Sequence, residues 1–383
     1  MEPPDALGIG EERRTTPVEL LWDLVFVFAV TQVTTLLSRD LSWAGFGRSM
    51  LVLALVWWAW SAFVWAANAQ DTESQAMRAI LLAGMLLIFI SGLALPQAFG
   101  ADATLFAATY AGVRFLHLGL YADASRRGNA SWAAIAGFAI TVTVGMVLLI
   151  AGSFLDGTER VALWALAAAI DYAGPAWLTR ERLRGLQEVA VAHFAERYSL
   201  FIIICLGESI VAIGVGASGL PLDAELVAAV ALGLLITMAL WWTYFDSFAA
   251  TAEERLRSHD DPVLAAADAY SYLHLVLVAG IIVFAVGVKL TVHDVGDALS
   301  DAARLALCGG VGLYLVGHVA FAWRLGGGVS YTRLGVASAL LVLYLAGGEL
   351  PAWAVAGGMT VILAGLCAFE AVRGERGALV GAS

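Results

Sequence analysis

About twenty residues at a time, this chain runs almost without charge, and it does so twelve times: 17–38, 44–67, 78–98, 103–122, 131–154, 159–178, 197–215, 222–248, 263–288, 301–322, 331–348 and 351–372. A helix rising about 1.5 Å per residue needs roughly that length to cross the hydrocarbon of a bilayer. Lipid offers no partner to a bare backbone, so spans of this kind close their own hydrogen bonds as helices. With 61% hydrophobic and only 14% charged residues, the chain falls far from the quarter-charged average of soluble domains. The expected fold is an all-α polytopic membrane protein of about twelve transmembrane helices.

The expected organisation is a cytoplasmic tail over 1–16, a first six-helix unit over 17–178, an amphipathic connector over 179–196, a second six-helix unit over 197–372 and a tail over 373–383. The stretch Arg180–Tyr198 suits either an interfacial helix or the start of the seventh span. Fourteen arginines sit in the even-numbered connections and the termini, against five Arg or Lys on the other side, which predicts both termini in the cytoplasm. The polar N-terminus lacks the apolar core of a cleaved signal peptide, so the first span is expected to be retained. A net charge of −11 spread over short loops, with no basic tract, argues against nucleic acid. The expected partner is the bilayer, with oligomerisation left open. Cys205, Cys308 and Cys367 lie inside apolar runs, so neither disulfides nor a thiolate metal site is expected, and no cofactor is.

An internal repeat is visible. Trp57-Trp58-Ala59-Trp60 in the second span matches Trp241-Trp242-Thr243-Tyr244 in the eighth, with Asp23 lying 34 residues before the first and Glu208 33 before the second. His117 and His318 correspond in the same way. Two parallel six-span repeats would place a binding site at their interface.

Ionisable residues inside spans mark sites by default. Glu19 and Asp23, one turn apart, share a face of the first helix. Glu19 is expected either to snorkel toward Arg13 or Arg14 or to join an internal set. Asp23 is deeper and needs an internal partner, for which Arg114 is the expected choice. That arginine stands with Tyr110, His117 and Tyr121 on one stripe of the fourth span. Glu208, Asp246, Asp268 and His274 complete the candidates, clustered toward the cytoplasmic half as if around a polar cavity. A packing role is the competing reading for each. Trp57, Trp58, Trp241 and Trp242 offer aromatic faces that could hold a cation beside carboxylates or could simply pack helices. His193, Glu196 and Arg197 are expected to form a surface ion-pair network, and no metal site is expected.

The stretch Pro17-Val-Glu-Leu-Leu-Trp-Asp-Leu-Val-Phe-Val-Phe-Ala-Val-Thr-Gln resembles the opening signature of the bacterial low temperature requirement A (LtrA) membrane proteins. His193 to Gly214, Trp241-Trp-Thr-Tyr-Phe-Asp246 and Tyr272-Leu-His274-Leu resemble further signatures of that family. The resemblance implies a multi-pass protein of the bacterial inner membrane, associated with growth in the cold. It implies no settled activity and brings no catalytic residue.

Two function classes are open. A secondary transporter of a small solute or cation would use Asp23 and Glu208 to bind its cargo or a coupling proton. A membrane-embedded enzyme on a lipid or isoprenoid would use one of them as general acid, although no HExxH, GxSxG or Asp-rich diphosphate motif occurs. A channel or a sensor of membrane state is a further alternative, and a non-enzymatic role is preferred.

Overall fold

Each of the twelve apolar runs holds a helix among its described residues. The computed structural model describes residues 15–68, 75–126, 132–175, 190–246 and 248–381. Its first six helices are α1 (Pro17–Arg39), α2 (Trp43–Asn68), α3 (Gln75–Ala94), α4 (Ala103–Arg126), α5 (Trp132–Ser153) and α6 (Gly157–Ala173). They are followed by α7 (Val191–Ala217), α8 (Ala224–Phe245), the short amphipathic α9 (Phe248–Arg257), α10 (Pro262–His293), α11 (Asp301–Arg324), α12 (Tyr331–Ala346) and α13 (Ala352–Gly381). Among the described residues no strand forms, and the single β-bridge joins Ala298 to Pro351.

Among the described residues, nine of these helices are long and apolar enough to cross a membrane. The other three of the twelve runs fall short for visible reasons. The helix α4 carries Arg114 and His117 in its middle, while α6 and α12 have only 17 and 16 described helical residues. Local chemistry sets many of the starts. Pro17 opens α1, where Thr16 donates from its N and Oγ1 to Glu19 Oε2, each at 2.8 Å, in a capping box. Asp223 and Ser300 cap α8 and α11 by accepting from Leu226 N and Ala303 N.

The most deeply buried helices are α10 and α2, and the others pack around them. Leu86, Ile140, Val144, Leu341 and Val361 point outward from the surrounding helices, the apolar exterior that lipid requires. The contact between α10 and α11 is backbone against backbone. A side chain at Gly287 would overlap Leu307, and one at Gly310 would overlap the Phe284 amide, so only glycine permits this approach.

Successive helices alternate in direction. The starts of α1, α7 and α10 therefore meet the ends of α2, α4 and α6 at one end of the bundle, as ion pairs and hydrogen bonds between them record. The seventh helix begins at Val191, six residues before the span expected at 197. Residues 191–196 are thus helix rather than connector, and 176–189 lie outside the described residues.

Candidate functional site

At that end, two helices present complementary pairs at the same spacing. Glu19 and Asp23 stand one turn apart on α1, and His193 and Arg197 stand one turn apart on α7. The helices run side by side in the same direction, so the pairs meet rung against rung. Arg197 Nη2 lies 2.6 Å from Asp23 Oδ1, and Nη1 lies 3.0 Å from Glu19 Oε1. His193 Nε2 faces the same Glu19 oxygen at 3.2 Å. Trp60 of α2 closes the set, its Nε1 donating to Asp23 Oδ1 at 2.8 Å. All four ionisable side chains are about 1% exposed or less.

The charges in this cluster do not balance by themselves. Two carboxylates face one guanidinium and one imidazole, so with neutral His193 the group carries −1, and one added proton makes it neutral. A net charge in a dry interior is costly, which favours the protonated or cation-bound state. Asp23 Oδ2 is buried and accepts no hydrogen bond from the described residues, so among them the cluster has an oxygen open to that proton or a small cation.

A cavity lies nearby on the same end, between α2, α4, α5, α6 and α10. It measures about 60 Å³ and is walled by Trp58, Trp65, His117, Tyr121, Phe138 and Tyr272, with Ser61 and Ser271 among its few polar groups. At about 10–15 Å³ per water-sized sphere, it has room for roughly four to six waters. The cavity sits where α10 widens into a π-helical turn over Ala267–Leu273, an irregularity that recurs at functional sites and is tolerated at membrane depth beside a cavity. Two indoles and a serine hydroxyl are tied to this turn. Trp57 Nε1 donates to the Ser271 carbonyl at 2.7 Å, Trp65 Nε1 to Ser271 Oγ at 2.8 Å, and Ser61 Oγ links Ser271 and Tyr198. Among the described residues the Trp58 indole N–H has no hydrogen-bond partner, and the Ala62 carbonyl lies close to the His117 ring.

The expected pair between Asp23 and Arg114 does not form. Arg114 reaches Asp171 of α6 instead, Nη2 to Oδ1 at 2.7 Å, with both side chains fully buried. Glu19 does not snorkel; it is bound inward by His193 and Arg197, and Arg13 and Arg14 lie outside the described residues. Nor are His193 and Arg197 surface residues. Only Glu196 of that trio faces outward, where it accepts from Thr15 N and Oγ1.

The remaining candidates are dispersed. Glu208 is buried farther along α7 and accepts a hydrogen bond from Thr31 Oγ1 of α1. Asp268 pairs with Arg324 at 2.6 Å, fastening the π turn to the end of α11. His274 is fully buried, parallel to the Trp57 ring at 5.9 Å and 3.5 Å from Tyr244 Oη. Trp58 stacks on Tyr172 at 4.0 Å. Trp241 and Trp242 stand on the outer face of α8, 45% and 41% exposed, and Asp246 is exposed at its end. The carboxylate-flanked cage of Trp57, Trp58, Trp241 and Trp242 is therefore not assembled; among the described residues it is Trp60 that donates to a carboxylate.

The family model for the bacterial low temperature requirement A protein (LtrA) matches residues 14–368. The uncharacterized protein RA0937 of Rhizobium meliloti (strain 1021) is 32% identical over 306 residues, covering 78% of this chain and 75% of that protein.

Proposed function

The chain belongs to the bacterial low temperature requirement A (LtrA) family, and we propose that it acts there as a secondary transporter of a small solute or cation, coupled to a proton carried by the Glu19–Asp23–His193–Arg197 cluster. The observation that carries this reading is the uneven charge count of that buried cluster. A group that is neutral with one proton and charged without it can take up that proton from one side and release it to the other. In this reading the twelve helices form two parallel six-helix repeats in the bacterial inner membrane, with both termini cytoplasmic. Each repeat's first helix supplies half of the cluster, as a site between repeats requires. The small aromatic cavity at the π turn of α10 then receives the solute, and its volume limits that solute to a few heavy atoms.

The geometry weighs against the enzyme reading. Asp23 Oδ1 is held by both Arg197 and Trp60, Glu208 is bound by Thr31, and neither carboxylate lines the aromatic cavity where a substrate would enter.

Reconstitution into liposomes loaded with a pH-sensitive dye tests the proposal. Sodium, potassium, ammonium, methylammonium and small neutral amides, each presented with and without an imposed membrane potential, form the panel. The wild-type protein should move protons in response to at least one of them, and Asp23→Asn should abolish that flux while still eluting as a folded protein. No solute-dependent proton movement by the wild type, or full flux in Asp23→Asn, would refute coupling at this cluster.

A further inference from the structure

On the same end as the cluster but in the other half of the chain, α9, α11, α12 and α13 enclose a second cavity of about 340 Å³. His318 of α11 lines it and is fully buried. Its Nδ1 lies 2.9 Å from the Tyr314 carbonyl, which can only accept, so Nδ1 carries the hydrogen. Nε2 is then a bare acceptor, and it has no partner among the described residues. A buried acceptor of this kind calls for a donor from something not belonging to the wall.

The rest of the lining supplies positive charge. Arg333 is neutralised by Glu370, which it meets through two nitrogens at 2.8 and 3.1 Å, and it spends a further bond on the Thr243 carbonyl at 3.0 Å. Arg373 lies at the mouth, its guanidinium over the Phe369 ring at 5.1 Å, and meets no carboxylate among the described residues. The net charge of these three groups is +1. Ser330 and Thr332 bring the N-terminus of the 16-residue α12 to the same wall; the Ser330 hydroxyl caps the Arg333 N–H, and the helix start beyond that cap favours an anion. Phe369 and Val372 beside the mouth are 45% and 50% exposed, so the cavity opens next to the apolar exterior of the bundle.

We infer that this cavity binds a phosphate ester that carries a free hydroxyl, with the phosphate held by Arg373 and the start of α12 and the hydroxyl donating to His318 Nε2. A phosphodiester without a hydroxyl leaves Nε2 unmet, and a neutral polyol leaves Arg373 unmet. A glycerol phosphate satisfies both and fits the volume. It can come from a phosphatidylglycerol headgroup, with acyl chains along Phe369 and Val372, or from free glycerol phosphate.

The test is native mass spectrometry of the full chain released from detergent, with dihexanoyl phosphatidylglycerol, dihexanoyl phosphatidylcholine and glycerol 3-phosphate as separate probes. Saturable binding of the phosphatidylglycerol or of glycerol 3-phosphate is expected, and the phosphatidylcholine, which has phosphate but no hydroxyl, should bind at least tenfold more weakly. Binding of the lipid alone assigns the headgroup, and binding of glycerol 3-phosphate assigns the free ester. Arg373→Gln, at an exposed position, should weaken binding about tenfold or more without affecting folding, as should His318→Phe, which keeps the ring and removes the acceptor. Equal binding of all three probes, no saturable binding, or unchanged binding by Arg373→Gln would overturn the inference. None of these outcomes bears on proton coupling at Asp23.

Discussion

Replacing Arg197 with methionine removes the cation that Glu19 and Asp23 share while keeping much of the side chain's length. The wild-type guanidinium lies 2.6 Å from Asp23 and 3.0 Å from Glu19, and every partner is about 1% exposed or less. Removing one partner of a buried ion pair costs about 3–5 kcal/mol, mostly because the other charge is stranded. His193 can take a proton and answer Glu19, at 3.2 Å, but it does not contact Asp23. The expected loss for Arg197→Met is therefore about 3–5 kcal/mol. The triple variant Glu19→Gln, Asp23→Asn, Arg197→Met has no charge left to strand, and Gln still serves the capping box at Thr16. Replacing a whole buried charge network with neutral groups is often neutral or stabilising, so the triple variant should recover most of the loss. Reversible unfolding by sodium dodecyl sulfate in mixed micelles measures both differences. A single variant as stable as wild type, or a triple variant no better than the single, would show that charge compensation does not hold α1 to α7.

Three further outcomes are expected. Trp60→Phe keeps an aromatic ring but removes the donor to Asp23 and part of the buried ring system, and should cost at least about 1–3 kcal/mol in the same assay; a loss within error would mean that the bond to Asp23 does not support the fold. Gly310→Ala should reduce folded yield on size exclusion, because the Phe284 amide occupies the space a Cβ needs, whereas Gly312→Ala, whose Cβ meets nothing within 4 Å, should not. Asp40 lies beyond the end of α1, and hydrogen bonds from the Ser42 hydroxyl and backbone N–H hold its carboxyl below the usual range. A depressed carboxyl stabilises above its unfolded pKa of about 3.9 and loses that contribution as pH falls through the folded value. Asp40→Asn should therefore lower the melting temperature at neutral pH and flatten its acid limb, the two proteins converging at the lowest pH; an identical acid limb would rule out Asp40 as its source.

The positions of the helices were legible in the sequence because the apolar run of each span is a local property. The partners of the charged residues were not, because they depend on which helices lie side by side. Arg114 and Asp23 were both buried and opposite in charge, yet Arg114 belongs to Asp171 on α6. A signal for the true partner did exist: His193 and Arg197 repeat on α7 the one-turn spacing of Glu19 and Asp23 on α1, with basic groups in place of acids. The amphipathic look of Arg180–Tyr198 concealed it, since a basic residue near the start of a span reads as a surface residue. Trp60 was hidden for a similar reason, as any of the three clustered tryptophans could have met the carboxylate. The widening of α10 has no signature in composition or periodicity.

That widened turn also has a consequence for phase. A π turn is one residue longer than the α turn it replaces, and each residue of an α-helix turns its successor by about 100°. The two ends of α10 are therefore set against different neighbours by a residue count. At the start of the turn, Asp268 faces Arg324; just after it, His274 faces Trp57. Deleting one residue between them would leave both side chains chemically intact and rotate one contact away from its partner, whereas a substitution at the same place would leave the rotation untouched. Length, more than residue type, is the quantity this segment cannot vary.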